Sequence, residues 1–113
     1  MQINEERQRG AVIVAPVGRI DSTTAEALDH HLLALNSAGE YRIVVDFGGV
    51  EYISSAGLRV MLTLAKRVKE KQGALALCAL GSSPRQVFEL AGFMPLFTLA
   101  RSREDALARV ASA

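Results

Sequence analysis

Two adjacent serines, Ser54 and Ser55, stand before an apolar helical pattern in the stretch Tyr52-Ile53-Ser54-Ser55-Ala56-Gly57-Leu58-Arg59-Val60. A helix start needs one side-chain hydroxyl to accept from its nearest orphan amide, which leaves the second hydroxyl spare. Gly57 falls in the first turn, where glycine costs up to about 1 kcal/mol relative to alanine, and it marks a place where something approaches the backbone closely. A helix N-terminus carries roughly half a positive charge and several unpaired amides, so a phosphate on a neighbouring serine is tolerated there. Phosphorylation at this spot spares the fold and adds about −1.5 to −2 charges to the surface that docks against it. The plainer alternative is that the serines are a cap and its neighbour.

The other chemically capable residues exclude more than they offer. His30 and His31 are consecutive, so on a helix they diverge by about 100° and cannot share a metal as an i, i+4 pair can. No CxxC motif or carboxylate cluster joins them, and they read as surface or boundary residues. Ser55 as a catalytic nucleophile would need a general base and an oxyanion pocket, yet neither a G-x-S-x-G elbow nor a neighbouring histidine is present. Gly48-Gly49 lacks the Walker lysine and the G-x-G-x-x-G pattern, so no ATP site is expected. The sole cysteine, Cys78, lies in the apolar run Ala74 to Leu80 and reads as a buried, inert thiol. A hydrolase is poorly supported, and neither catalysis nor a cofactor or metal is expected.

The elements that position the serines are legible from periodicity. Ala11 to Val17 reads as a strand, with Gln2 to Gln8 its polar edge partner across Arg9-Gly10, and Pro16 belongs at an edge or near the strand end. Asp21-Ser22-Thr23-Thr24 offers helix-start chemistry, with Thr23 and Glu26 at capping-box spacing, followed by Ala25, Leu28, Leu32 and Leu35 and a stop at Ala38-Gly39. Ile43-Val44-Val45 is apolar on both faces, as a central strand covered on both sides would be; Val50 to Ile53 then leads into the serines. Leu58, Met61, Leu62, Ala65 and Val68 form the apolar stripe of the next helix, Arg59, Lys66, Arg67, Lys69 and Lys71 its solvated positions, and Gly73 closes it. Ala74 to Leu80 is a buried strand, and Ser83-Pro84-Arg85-Gln86 caps a short helix through Ala91. Phe97 to Ala100 is the last strand, and Ser102 caps a terminal helix carrying Ala106, Leu107 and Val110. Alternation of this kind predicts an α/β fold in which about four helices pack on a mostly parallel sheet.

At 113 residues, half of them apolar, the chain fits one domain with a real core. Thirteen basic and twelve acidic side chains give a net charge of +1, so no strong field favours nucleic acid or anionic lipid. Met1 to Gly10 is polar and charged, unlike the apolar region of a signal peptide or a membrane span, and a cytoplasmic location is expected. Monomer is the default expectation for a surface with no long apolar stripe left over.

Over nearly its whole length the sequence resembles the STAS family, the domain shared by sulfate transporters and anti-sigma factor antagonists. The resemblance lies in Val17-Gly18-Arg19-Ile20-Asp21, in Ile43-Val44-Val45-Asp46-Phe47, in the signature Tyr52 to Leu58, and in Phe88-Glu89-Leu90-Ala91-Gly92-Phe93. It implies a single STAS domain with a mixed, mostly parallel central sheet. Resemblance to the stand-alone bacterial members implies partner switching. In that scheme a serine kinase of the histidine-kinase-like ATPase type, itself an anti-sigma factor or related binder, holds the unphosphorylated antagonist and phosphorylates its signature serine; a phosphatase reverses the mark. Many members read Asp-Ser-Ser-Gly with the acceptor directly before glycine, where this chain has Ala56. Ser55 is then the expected acceptor, with Ser54, aligned on the family's aspartate, the alternative. By the same resemblance Asp21 and Ser22 lie near the serine where the kinase docks, together with Ser54, Ser55, Ala56 and Gly57. Leu58, Arg59, Val60 and Leu64 extend that surface, although core packing is the other reading of the three hydrophobic ones. A STAS subunit of a membrane transport or sensory complex, never phosphorylated, is the competing function.

Overall fold

The computed structural model describes residues 1–111. Gln2–Gln8 (β1) and Ala11–Ile20 (β2) form an antiparallel hairpin across Arg9 and Gly10, whose φ angles of 53° and 74° are those of a tight two-residue turn. Arg42–Asp46 (β3), Ala74–Cys78 (β5) and Thr98–Ala100 (β6) extend the sheet in the order β1-β2-β3-β5-β6, each parallel to its neighbour beyond β2. Val50–Ile53 (β4) pairs in parallel with the far end of β2. Four helices follow from the connections: Ala25–Ser37 (α1), Ser55–Glu70 (α2), Ser82–Leu90 (α3) and Arg103–Val110 (α4). The expected mixed, mostly parallel α/β sheet with four helices is the observed one.

Alternation along the strands builds two cores. Val12, Val14, Ile43, Val45 and Leu77 face α1, α2 and α3, while Ala11, Ile13, Val44, Ala76 and Cys78 face Ala106, Leu107 and Val110 of α4. Small side chains on the second face let α4 approach closely. Phe47, Phe88 and Phe97 meet edge to face, with ring centroids 5.9 and 5.4 Å apart, and tie α3 to the sheet. Burial pushes the Cys78 thiol up to about 11, aided by the nearby Asp46 carboxylate, in keeping with an inert core cysteine.

Several local expectations change. Val50 to Ile53 is a strand in its own right; four residues without a clear alternation gave it no signature of its own. Pro16 lies inside β2, not at its end. It is accommodated because the ladder to β3 covers Val12 to Val14 and that to β4 covers Gly18 to Ile20, which leaves Pro16 in the interval between them. No Thr23–Glu26 box forms, because Asp21 supplies the acceptor instead. The cap of α3 is Gly81 and not Ser83: Pro84 falls in the first turn, where a missing amide costs nothing, so the helix begins before it. The buried stripe of α2 is Gly57, Leu58, Val60, Met61, Leu64 and Val68, leaving Leu62 and Ala65 half-exposed. Arg67 is no solvated cation; it is drawn inward between α1 and α2. Gly73 stands one residue beyond Gln72, which takes the left-handed conformation; a Cβ on Gly73 would strike the Tyr41 carbonyl. Among the described residues no helix is long and apolar enough to cross a membrane.

Candidate functional site

Parallel pairing of β2 with β4 brings the two halves of the site together. Arg19 lies opposite Tyr52 and Ile20 opposite Ile53, and the Ser54 amide donates to the Ile20 carbonyl at 2.8 Å. Both chains leave the sheet side by side, so Asp21-Ser22 and Ser54-Ser55 share one pole, each opening a helix. Behind that pole the Arg19 guanidinium stacks over the Tyr52 ring at 4.4 Å.

The two serines divide the work. Ser54 has the extended backbone of an N-cap, its Oγ accepts from the Gly57 amide at a long 3.4 Å, and its carbonyl takes the Leu58 amide at 2.9 Å. Ser55 is the first residue of α2, exposed, and its hydroxyl makes no hydrogen bond among the described residues. Gly57 is buried, and the close approach expected there is made by the protein's own core: a Cβ would lie 2.6 Å from Ile53 Cγ1 and 2.7 Å from Ile20 Cγ2. Glycine therefore lets the first turn of α2 rest on the two isoleucines and fixes how far Ser55 projects.

Asp21 organises the other half. Its Oδ1 accepts from the Thr23 hydroxyl at 2.7 Å and from the amides of Thr23 and Thr24 at 3.0 and 3.2 Å, while the Asp21 carbonyl takes the Ala25 amide. The Thr23 hydroxyl, then the backbone and side-chain donors of Thr23 and Thr24, hold the Asp21 carboxyl below its usual range. The Thr24 hydroxyl donates in turn to the Arg19 carbonyl at 2.8 Å. Asp21 thus holds the turn that leads into α1, and Ser22 beside it is exposed.

Between the helices runs a shallow groove of about 270 Å³, walled by Ser22, Glu26 and Asp29 from one side and by Ala56, Arg59, Val60 and Thr63 from the other. Ser22, Ala56 and Arg59 are placed for contact; Leu58 and Leu64 are buried in the core, and Val60 is only 9 % exposed. Leu58 and Leu64 thus follow the core-packing reading, buried Gly57 lies beneath the first turn, and Val60 shows only its edge to the groove. Glu26, Asp29 and Thr63 were not anticipated, though the spacings Ser22/Glu26/Asp29 and Ala56/Arg59/Thr63 place each set on one helical face. Farther along, Arg67 Nε donates to Asn36 Oδ1 at 2.7 Å and its Nη2 faces Asp29 Oδ1 at 3.5 Å, while Asn36 Nδ2 donates to the Glu40 carbonyl. This partly buried cluster joins α1 to α2 beyond the groove. The histidines are elsewhere engaged, His31 with Glu5 at 2.7 Å and His30 near Glu26 at 4.0 Å.

Comparison with known proteins places this geometry. The model of the STAS domain matches residues 2–106. A Bordetella bronchiseptica protein named "Putative anti-sigma factor antagonist BtrV" is 44 % identical over 108 residues, covering 96 % of this chain and 93 % of its own. The crystal structure of an anti-sigma factor antagonist from Mycobacterium paratuberculosis superposes with a TM-score of 0.89 at 27 % identity, over 98 % of this chain and 94 % of that one. The Bacillus cell fate determinant SpoIIAA, in its phosphorylated form, shares the fold with a TM-score of 0.74 at 22 % identity, over 96 % and 99 % of the two chains.

Proposed function

The chain belongs to the STAS domain family, and from that premise we propose that it is an anti-sigma factor antagonist that works by partner switching in the cytoplasm. Unphosphorylated, it docks the pole formed by Asp21, Ser22, Ser54, Ser55, Ala56 and Arg59 onto a serine kinase that is also an anti-sigma factor, of the histidine-kinase-like ATPase type. The kinase phosphorylates Ser55, the added charge drives the partners apart, and a phosphatase restores the binding form. The observation that carries this reading is the exposed Ser55 hydroxyl at the mouth of α2 while Ser54 caps the helix. The names of the relatives from Bordetella and Mycobacterium support the class.

The charge is large enough for the task. Opposite a partner carboxylate about 6 Å away, each added negative charge costs about 3 kcal/mol at an effective dielectric of about 20 before screening. Even half of that after screening is about tenfold in affinity. Titration of the cognate kinase should therefore give Ser55→Ala the affinity of the native chain and Ser55→Asp an affinity at least about tenfold weaker. Equal binding by Ser55→Asp would remove the proposal.

Ala56, where many family members carry a serine, supports a second reading, a STAS subunit of a transport or sensory complex that is never phosphorylated. Only the unmodified mass, in protein purified from cells in which the kinase is active, would favour it over the switch.

A further inference from the structure

A second groove lies along the C-terminal half of α2, on the side of β5 and β6. It encloses about 550 Å³ and is floored by Leu62, Ala65, Val68 and Leu75 with Leu96 and Phe97 at its lip. Leu62 and Ala65 are apolar residues on the helical face that periodicity assigns to the core, yet nothing covers them fully; Leu96 is 55 % exposed. The rim is cationic: Lys66 and Lys69 have no ion-pair partner among the described residues, and Arg109 reaches only Asp105 of its own helix, at 3.5 Å. Among the described residues no carboxylate lines it.

We infer that this groove is a second docking site, which takes a peptide segment of a partner protein carrying apolar side chains flanked by carboxylates. An open trough would leave a small molecule half in water, whereas ligand pockets bury about 70–90 % of theirs. A flat bilayer cannot fill a recess between a helix and a sheet edge. A two-fold dimer through the same patch would set its three cations against themselves. A peptide satisfies both features at once, its apolar side chains on Leu62, Leu75 and Leu96 and its carboxylates on Lys66, Lys69 and Arg109.

The position gives the site a use. Its α2 residues begin about 10 Å along the helix from Ser55 and continue to about 20 Å, toward the opposite pole. A peptide confined to this groove leaves Ser55 uncovered, since Ser55 does not line it. The domain can then stay tethered to one protein while phosphorylation controls its grip on another.

Selection of a phage-displayed random dodecapeptide library on the native chain tests this. The inference expects recovered peptides rich in Asp and Glu around Leu, Phe or Trp, NMR shifts on titration confined to Leu62–Leu75, Leu96–Thr98 and the turn of α4 around Arg109, and binding weakened at least about tenfold by Lys66→Glu/Lys69→Glu. Ser55→Asp should leave that binding unchanged, which separates this site from the proposed switch. Peptides without acidic enrichment, equal binding by the lysine variant, or shifts centred on Ser22 and Ser55 would overturn it. So would co-flotation of the native chain with vesicles containing phosphatidylserine, or a dimer in sedimentation velocity that Leu96→Asp dissolves, because either assigns the groove to another occupant.

Discussion

Replacing Gly57 by alanine tests how tightly the start of α2 is seated. The new Cβ would meet Ile53 Cγ1 at 2.6 Å, Ile20 Cγ2 at 2.7 Å and Ile53 Cδ1 at 3.2 Å, with both isoleucines fully buried. Two of these atoms are one bond from the Cβ of a β-branched residue in a strand, so they cannot rotate away without leaving their preferred rotamers. Relief requires α2 to lift from the sheet. Overpacking of this kind costs about 1–3 kcal/mol, and alanine's helix propensity returns up to about 1 kcal/mol. With two rigid contacts under 3.0 Å the overpacking belongs at the upper end, about 2–3 kcal/mol, so the net expectation is a loss of about 1–2 kcal/mol, or about 4–8 °C in Tm for a domain of this size. Urea and thermal unfolding followed by circular dichroism read both. A Gly57→Ala protein as stable as the native one would show that the first turn does not rest on Ile20 and Ile53, and that the projection of Ser55 is not fixed by this contact.

Ser54→Ala should lose about 0.5–1 kcal/mol, the low end for an N-cap given its long bond, whereas Ser55→Ala should stay within about 0.5 kcal/mol of native in the same unfolding assay. Asp21 is held below its usual range in the folded state, so its contribution is present above the unfolded pKa of about 3.9 and is lost as pH falls through the folded value. The Tm difference between the native chain and Asp21→Asn should accordingly be constant near neutrality and shrink on acidification below about pH 4; a difference independent of pH would refute the hydrogen-bond account. Asn36→Ala strips Arg67 of its closest partner and should cost about 1–3 kcal/mol in urea unfolding, with Arg67→Ala adding little on top of it. Cys78, buried with its thiol pushed up to about 11, should react with a thiol reagent only at the rate of unfolding.

The sequence makes the site legible where a local rule governs it. One cap per helix start leaves one of two serines spare, and Ser54 caps while Ser55 stands free. The long strand β2 and the helix α1 declare themselves by periodicity. What escaped depends on contacts made across the chain. β4 is defined only by pairing with the end of β2, the turn into α1 is held by the Asp21 carboxylate and not by a side-chain cap, and Arg67 turns inward because Asn36 waits on the adjacent helix. Periodicity runs the stripe of α2 through Leu62 and Ala65 because period alone cannot say which of two apolar faces a helix buries. The face left over became the second groove.

Phosphosite mapping decides whether the free hydroxyl of Ser55 carries the proposed switch. Incubated with its kinase and ATP, the native chain should gain a single phosphate, assigned to Ser55 by tandem mass spectrometry, Ser54→Ala should still be modified, and Ser55→Ala should gain none. Full labelling of Ser55→Ala, or a phosphate assigned to Ser54 in the native protein, would rule Ser55 out as the acceptor.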